Sequence, residues 1–581
     1  MLQSIQRATA LGCYLSHHSH GHPFSSSPPI ATRTQLLTSI RTLPSAEAAV
    51  DLFHTMLTLT PFPHLQDFNL LLGFLAKCHR HATVVSLVKT LHSLRPAAPS
   101  VCTLNILINC LCRLRRTPLA LAVLGLMLRA ALQPTLVTLN TIVNGLCVEG
   151  SVDRALRFAE KIEALGFRCN ARTYGALVNG LCKVGDAFGA LECLRRMVEG
   201  NLEPNVVVYN AVLDGLCKNG LVCEALRVFR EMGDVEPNVV TYNCLIGGLC
   251  GGIGGWREAL GLFNEMVAVK GVAPDVQTFS ILVDGFCKEG LVSRGESVVG
   301  FMLRTGVKPN VVTYNSLIGG YCLRHRMEEA MRVFGLMVPE GCSASIVTYN
   351  SLIHGWCRVK KVDKAMSLLA EMVGEGLEPD VFTWSSLIGG FCLVRKPQAA
   401  RELFFTMKDY GQVPSLQTCA IMLDGLFKCW LDSEAVLLFR ALEKSGLDLD
   451  IVIYNIVLDG MCKAGKLDDA RKLISSMMDK GVKIDAYSYN IMIRGLCREG
   501  LIDDAEKLLR KMEENGCPPN NCSYNVFVQG LLHKYDISRC RKYLQIMKDK
   551  GFPVDATTVE LLVRSLSANE GENAVQELLQ S

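Results

Sequence analysis

Eight cysteines, Cys147, Cys182, Cys217, Cys250, Cys287, Cys322, Cys357 and Cys392, follow one another at steps of 35, 35, 33, 37, 35, 35 and 35 residues. A period near 35 residues means one supersecondary unit copied in tandem, each copy stacked on the next. The same phrase surrounds the cysteines: VVTYNSLIGGYC at 311–322, IVTYNSLIHGWC at 346–357, IVIYNIVLDGMC at 451–462 and AYSYNIMIRGLC at 486–497. A second phrase follows it, such as DDARKLISSM or DDAEKLLRKM. Fourteen complete units run over 65–555, after a degenerate first unit at 30–64 and before an incomplete capping unit at 556–581. The 581 residues are thus read as a repeat array rather than as four domains of about 150 residues each.

Within the unit 311–345, Tyr314, Leu317, Ile318 and Tyr321 stand at i, i+3, i+4 and i+7, the apolar stripe of one helix. Ala330, Val333, Phe334 and Met337 form the stripe of a second. A short turn joins them (KEG at 288–290, KAG at 463–465), and the second helix is expected to stop at a glycine followed by proline, as in GVKPN at 306–310. Two helices of about a dozen residues cannot bury both stripes alone, so the hairpins must stack into an all-α solenoid with a continuous core. Glycine recurs in the first helix of twelve successive units, from Gly145 through Gly320 to Gly530. Glycine inside a helix costs up to about 1 kcal/mol relative to alanine, so its repetition predicts a helix crossing too close for a side chain.

The 25 cysteines include no C-x-x-C pair and recur with the repeat, which favours small apolar core residues over metal ligands. No cofactor and no metal is expected. Two units break the period: one loses two residues after Met232, and the next gains one at Gly251-Gly-Ile-Gly-Gly255 and one after Met266. Both changes are expected in connections. The glycine run lacks the Gly-Lys-Ser/Thr of a phosphate-binding loop.

Sixty basic residues against 56 acidic leave a formal charge of +4, and 49% hydrophobic residues exclude disorder as the main state. The most apolar run, Leu119 to Leu128, is bounded by Pro118 and Arg129 and falls far short of a bilayer span, so a soluble protein without membrane insertion is expected. No acidic residue precedes Glu47, while Arg7, Arg33 and Arg41 and several serines do. Residues 1–46 therefore read as an organelle transit peptide and disordered leader. His17, His18, His20 and His22 lie in it without a fold to orient them on a metal.

The unit V-V-T-Y-N-S-L-I-x-G-x-C, then E-A-x-x-L-F-x-x-M, then G-x-x-P-D/N, resembles the pentatricopeptide repeat in its pure (P-type) form over roughly residues 30 to 581. The stretches at 103–128, 136–150 and 172–186 resemble the restorer-of-fertility-like branch of plant organelle proteins. The tetratricopeptide repeat has a period of about 34 and a Trp-Leu-Gly-Tyr pattern that this chain lacks. The resemblance implies a right-handed superhelix whose first helices line a groove for single-stranded RNA, one base per repeat. It implies that two residues read each base, the one after the aromatic of the first helix and the last of the unit. The recurrence of Asn at the first position, beside the buried stripe, agrees with such a role.

Donor and acceptor inventories sort the pairs. A terminal Asp only accepts, suiting uracil or guanine; Asn or Ser can donate, suiting cytosine or adenine; Asn in the helix suits a pyrimidine and a smaller residue a purine. Asn243 with Asp275, Asn350 with Asp380, Asn455 with Asp485 and Asn525 with Asp555 read as uracil. Asn69 with Ser100 and Asn315 with Ser345 read as cytosine. Asn140 with Asn170, Asn210 with Asn238, Asn490 with Asn520 and Asn105 with Thr135 admit either pyrimidine. Gly175 with Asn205, Ser280 with Asn310 and Ser385 with Ser415 take adenine, and Ala420 with Asp450 leans to guanine. The expected site is C-Y-Y-A-Y-U-A-C-U-A-G-U-Y-U. Val137, Val207, Val240, Val312, Val347, Phe382 and Val452, three residues before the reading position, would sandwich the bases. Lys183, Lys218, Lys288, Lys428 and Lys463 either meet phosphates or simply solvate a helix end near its dipole.

The expected protein is a sequence-specific RNA binder in organelle transcript processing, cleavage or stabilisation, mitochondrial with chloroplast as the alternative, acting with a recruited nuclease or other processing factor. A protein-binding scaffold is the competing reading. An enzyme is not expected, since 556–581 is too short for a deaminase or nuclease domain and the chain has neither His-x-Glu nor C-x-x-C.

Overall fold

A computed structural model describes residues 40–567 except 41, 60–61, 95–99, 165 and 253. Residues 1–39 of the expected leader, with its four histidines, and 568–581 of the expected capping unit lie outside the described residues. Among the described residues every regular element is a helix. The chain divides into two compact units, Met1–Gly248 and Leu249–Ser581, each a run of helical hairpins. The division falls inside the helix Val239–Cys250.

In the first unit the first helices Val101–Arg113, Leu136–Glu149, Ala171–Lys183 and Val206–Lys218 lie side by side. Each packs on its own second helix, Thr117–Arg129, Val152–Ala164, Ala187–Glu199 and Val222–Arg230. The second unit repeats the arrangement from Val276–Lys288 through Val311–Leu323 and Ile346–Arg358 to Asn521–His533. The stripe residues form the core: Tyr314, Leu317, Ile318 and Tyr321 are at most 4% exposed. Phe334 of the second stripe is half-buried and meets Tyr349 of the next hairpin edge to face, with ring centroids 5.6 Å apart.

Local sequence sets the helix ends. After Val292–Arg304, Gly306 turns left-handed (φ 78°) while its N–H reaches Leu303 O and that of Val307 reaches Met302 O, both at 3.1 Å, so two terminal carbonyls are satisfied before Pro309. The turn inside each hairpin also needs a left-handed residue. Gly465 supplies it at φ 72°, whereas Lys360 and Trp430 are held there at φ 63° and 62°.

The recurrent glycine and cysteine prove to be one contact. A Cβ placed on Gly320 would lie 2.7 Å from both Cβ and Sγ of Cys287, the cysteine of the preceding hairpin. Gly180 meets Cys147 and Gly390 meets Cys357 in the same way. Glycine is required because the neighbouring first helix brings its thiol where a methyl would stand. Burial pushes the Cys287 thiol up to about 12, so it stays neutral and behaves as a small hydrophobe. Among the described residues no group of three or more His, Cys, Asp or Glu could share a metal ion, and no helix is long and apolar enough to cross a membrane.

The irregular units differ from expectation in two details. The deletion shortens the second helix Val222–Arg230 to nine residues. The residue added after Met266 enters no connection; it is absorbed as a π-helical turn, Glu265–Val269, at the end of Trp256–Asn264. A π turn holds one extra residue without breaking hydrogen bonding, which is why a helix end accommodates an insertion.

Candidate nucleic-acid interface

A helix begins with N–H groups that lack partners, and Asp, Asn, Ser and Thr side chains accept from them. Each residue expected to end a unit does this for the following first helix. Asp380 accepts from Thr383 N at 2.9 Å, Asn170 from Thr173 N at 3.1 Å and Ser345 from Thr348 N at 3.3 Å. The restriction of this position to four residue types therefore has a structural cause.

The first-helix position has one too. Asn69, Asn140, Asn210, Asn243, Asn350, Asn455, Asn490 and Asn525 are only 2–9% exposed, so the amides beside the buried stripe are themselves mostly buried. Each amide of the regular pairs bridges to the next repeat. Asn350 Nδ2 donates to Asp380 Oδ1 at 3.1 Å, and Thr383 Oγ1 donates to Asn350 Oδ1 at 2.6 Å. The same triangle joins Asn140, Thr173 and Asn170, and Asn210, Thr241 and Asn238. The buried hydroxyl two residues before the reading Asn, Thr313 in VVTYN, was not singled out in the sequence although it recurs as regularly; it is fully buried at Thr173, Thr241, Thr313 and Thr383.

These triangles bring most expected pairs together directly or through one hydroxyl. Asn69 reaches Ser100 at 3.2 Å and Asn315 reaches Ser345 at 3.3 Å. Asn105 and Thr135 share Thr138, Ser280 and Asn310 share Thr313, Ser385 and Ser415 share Thr418, and Asn455 and Asp485 share Ser488. Gly175 and Ala420 bring no polar side chain, and their partners Asn205 and Asp450 act as caps alone. Asn490 departs from the pattern, with Oδ1 buried and unpartnered beside the cap Asn520. At the end of the row Gln529 donates to both carboxylate oxygens of Asp555, whose own N–H donates to Asn525. Asn243 and Asp275 fall in different units; Asp275 caps Val276–Lys288.

Capping also decides which atoms remain for a ligand. In Asn170 the Oδ1 accepts from two backbone N–H groups and from Asn140, leaving Nδ2 as a donor. In Asp380 the Oδ1 carries the cap, while Oδ2 receives the Asn350 amide at 3.2 Å and keeps acceptor capacity. Ser345 is different. Thr348 gives its one proton to Asn315, so the Ser345 hydroxyl proton points to Thr348 and must turn before it can donate elsewhere.

The apolar row is the feature that folding does not explain. Val137, Val207, Val240, Val312, Val347, Phe382 and Val452 are 48–69% exposed, at the same place in seven repeats, with Arg172, Gln277 and Gln417 there in the repeats between. Tyr487 continues the row at 59% and was missed in the sequence, though it too stands three residues before an Asn. Isolated exposed apolar residues need no explanation, but a periodic row marks a surface that something covers. In the first unit Val137, Asn140, Asn170, Gly175 and Val207 line one groove of about 1020 Å³. In the second, Val452, Asn455, Asp485 and Tyr487 line one of about 500 Å³, and Phe382, Ser385 and Ser415 one of about 440 Å³.

Four of the five expected phosphate lysines are paired within their own helix. Lys218 meets Asp214 and Lys288 meets Asp284 at 2.7 Å, Lys428 meets Asp424 at 2.6 Å and Lys463 meets Asp459 at 2.5 Å. The i,i+4 spacing was legible in D-G-x-C-K but was not read. Lys183 has Asn179 in that place. Arg113, Arg358 and Arg498 occupy the lysine position in other repeats and line the same grooves.

The PPR repeat family matches residues 99–148, 134–183, 204–251, 237–288, 344–393, 449–498 and 488–533, more than half of the chain. Single PPR repeats match 305–338, 172–202, 277–307 and 382–412. A pentatricopeptide repeat-containing protein of Arabidopsis thaliana, described as mitochondrial, is 36% identical over 89 residues, 15% of this chain and 14% of that protein. A second from the same plant is 36% identical over 135 residues, 22% of this chain and 20% of the relative. The matched stretches thus span at most about a fifth of these two relatives. The crystal structure of the pentatricopeptide repeat protein PPR10 from maize shares the fold, with a TM-score of 0.55 and 23% identity over 92% of this chain and 90% of that one. PPR10 in complex with an 18-nt psaJ RNA element gives 0.50 and 24% over 94% and 90%.

Proposed function

Because the chain belongs to the PPR repeat family, we propose that it binds single-stranded RNA in a sequence-specific manner and acts on organelle transcripts after transcription. The observation that carries this reading is the exposed apolar row. A base laid between successive members, for example between Val347 and Phe382, buries apolar surface on both faces while its pairing edge turns to Asn350 and Asp380. PPR10, whose fold this chain shares, has been crystallised with RNA, which supports the same reading.

In this proposal the pairs read the bases assigned above, and the committed cap atoms give the assignment its chemistry. Asp380 and Asp485 offer acceptor oxygens and read uracil; Asn170 and Asn238 offer amide donors. Asp555, already held by Gln529, reads its base less selectively than Asp380. Phosphates meet Arg113, Lys183, Arg358 and Arg498 before the paired lysines, whose aspartates repel them. The chain is a P-type member of the restorer-of-fertility-like branch and works in the mitochondrion, as several relatives' names indicate for those proteins. It presents or protects an RNA end, or directs a recruited nuclease, rather than catalysing cleavage itself.

The test is filter binding of the full chain to the single-stranded site C-Y-Y-A-Y-U-A-C-U-A-G-U-Y-U and to its duplex. Tight binding to the single strand alone is expected. Equal affinity for the duplex ends the groove reading, and no RNA binding at all leaves the protein-scaffold reading in its place.

A further inference from the structure

The run Leu119 to Leu128, too short to span a bilayer, forms most of the second helix Thr117–Arg129, and its outward face is unlike those around it. In the following hairpin the equivalent residues of Val152–Ala164, 35 positions on, are Asp153, Arg154, Arg157, Glu160, Lys161 and Glu163. Here the same positions hold Pro118, Leu119, Ala122, Gly125, Leu126 and Leu128. Leu119 and Leu126 are 49% exposed and Leu128 58%, and Leu94, at the end of the preceding second helix, is 60% exposed. Among the described contacts these second helices meet first helices and leave their outer faces to solvent. Exposed Arg115 and Arg116 stand at one end of the leucine face and Arg129 at the other.

Charge says what could cover it. From Phe68 to Val148 there is no Asp or Glu, while eight Lys or Arg occur, although the whole chain carries only +4. Of these eight, Arg80 is paired with Glu47; a second copy would bring the remaining positive charge against itself, and the acid-free leader before Glu47 offers no complement either. An apolar stripe with arginines at both ends and no carboxylate of its own, its first residue Thr117 donating to Glu149 of the next hairpin, matches an anionic lipid surface, where leucines enter the acyl boundary and arginines meet headgroup phosphates.

We propose that the outer face of Thr117–Arg129 is a peripheral docking surface for anionic membranes. The helix lies on the membrane rather than across it, and the surface is on second helices, apart from the groove of the first helices. The inference stands without the RNA reading. Failure of one leaves the other in place.

The experiment is co-flotation of the full chain with vesicles of phosphatidylcholine alone or with about a third phosphatidylglycerol. Flotation with the anionic vesicles and not the neutral ones is expected, and saturating single-stranded RNA should not release it. Leu119→Gln with Leu126→Gln should weaken binding about tenfold, and Arg115→Gln, Arg116→Gln and Arg129→Gln together should weaken it roughly fivefold per charge. The arginine set keeps the test decisive should the leucine variant melt early. Absence of flotation, release by RNA, unchanged flotation of the arginine variant, or a dimer that the leucine variant disperses would each overturn the proposal.

Discussion

The first and second helices of each hairpin carry the same apolar periodicity, yet the first repeats a phrase almost letter by letter and the second keeps little beyond its stripe. The difference follows from their neighbours. A first helix such as Val311–Leu323 touches the first helices on both sides as well as two second helices, so nearly every position has a partner to fit. A second helix meets its own and the following first helix, and its outer third is free to be charged, as in Ile502–Glu514, or apolar, as in Thr117–Arg129. Recurrence in a repeat protein therefore reports contact between copies before it reports function.

Glycines give the sharpest way to break that comparison. Gly320→Leu should cost about 3 kcal/mol, because the side chain meets Cys287 and the helices must part. Gly300 and Gly335, in second helices, have nothing within 4 Å of a Cβ. Replacing either by alanine should instead stabilise by about 0.5–1 kcal/mol. Thermal melts of the three variants check the contrast, and a neutral Gly320→Leu would refute the close crossing.

The next largest effect is expected at the buried hydroxyl. Thr383→Val leaves Asn350 Oδ1 without its donor and the Asp380 N–H without its acceptor, at a cost of about 2 kcal/mol. It should also weaken RNA binding, since both reading side chains lose their support. Urea unfolding and filter binding measure the two together; a stability loss without any change in binding would mean that the triangle serves folding only.

Tyr487→Ala separates the roles from the other side. Its side chain is exposed, so the melt should not move, while affinity for the single-stranded site should fall by about 1–2 kcal/mol. An unchanged affinity would take Tyr487 out of the base-sandwiching row. The smallest effect concerns Asp424→Asn, which releases Lys428 from its ion pair. RNA binding should tighten by roughly 0.5 kcal/mol at low salt, with a slightly steeper salt dependence, in a salt titration of both proteins.

Much of this architecture was legible in the sequence because a period is counted rather than inferred. The stripe at Tyr314, Leu317, Ile318 and Tyr321, the stop at Gly306 and the tight crossing at Gly320 all follow from spacing. What escaped depends on side-chain direction across a repeat boundary. The burial of Asn350 escaped because its partners, Thr383 and Asp380, are about 30 residues away in sequence and adjacent only after stacking. The π turn at Glu265–Val269 escaped because an added residue reads alike in a loop and a helix. The pairing of Lys463 with Asp459 is visible in the i,i+4 spacing, and it removes the lysine from both the phosphate and the helix-end role.

The glycine–cysteine contact has a consequence for length measurement. At most steps within each unit, the separation of neighbouring first helices is set by a glycine backbone resting on a thiol; at Gly355 the Met327 side chain lies nearer than the Cys322 thiol. The steps that rest on a thiol are thus cut to one gauge. Small errors in spacing would otherwise accumulate along the row, so that a strand in register with one repeat would drift out of register several repeats on. At Gly460 the preceding residue is Phe427 in place of cysteine, and the gauge changes there. The altered divisions of the ruler, at Gly355 and Gly460, are the places to look for a skipped or stretched step.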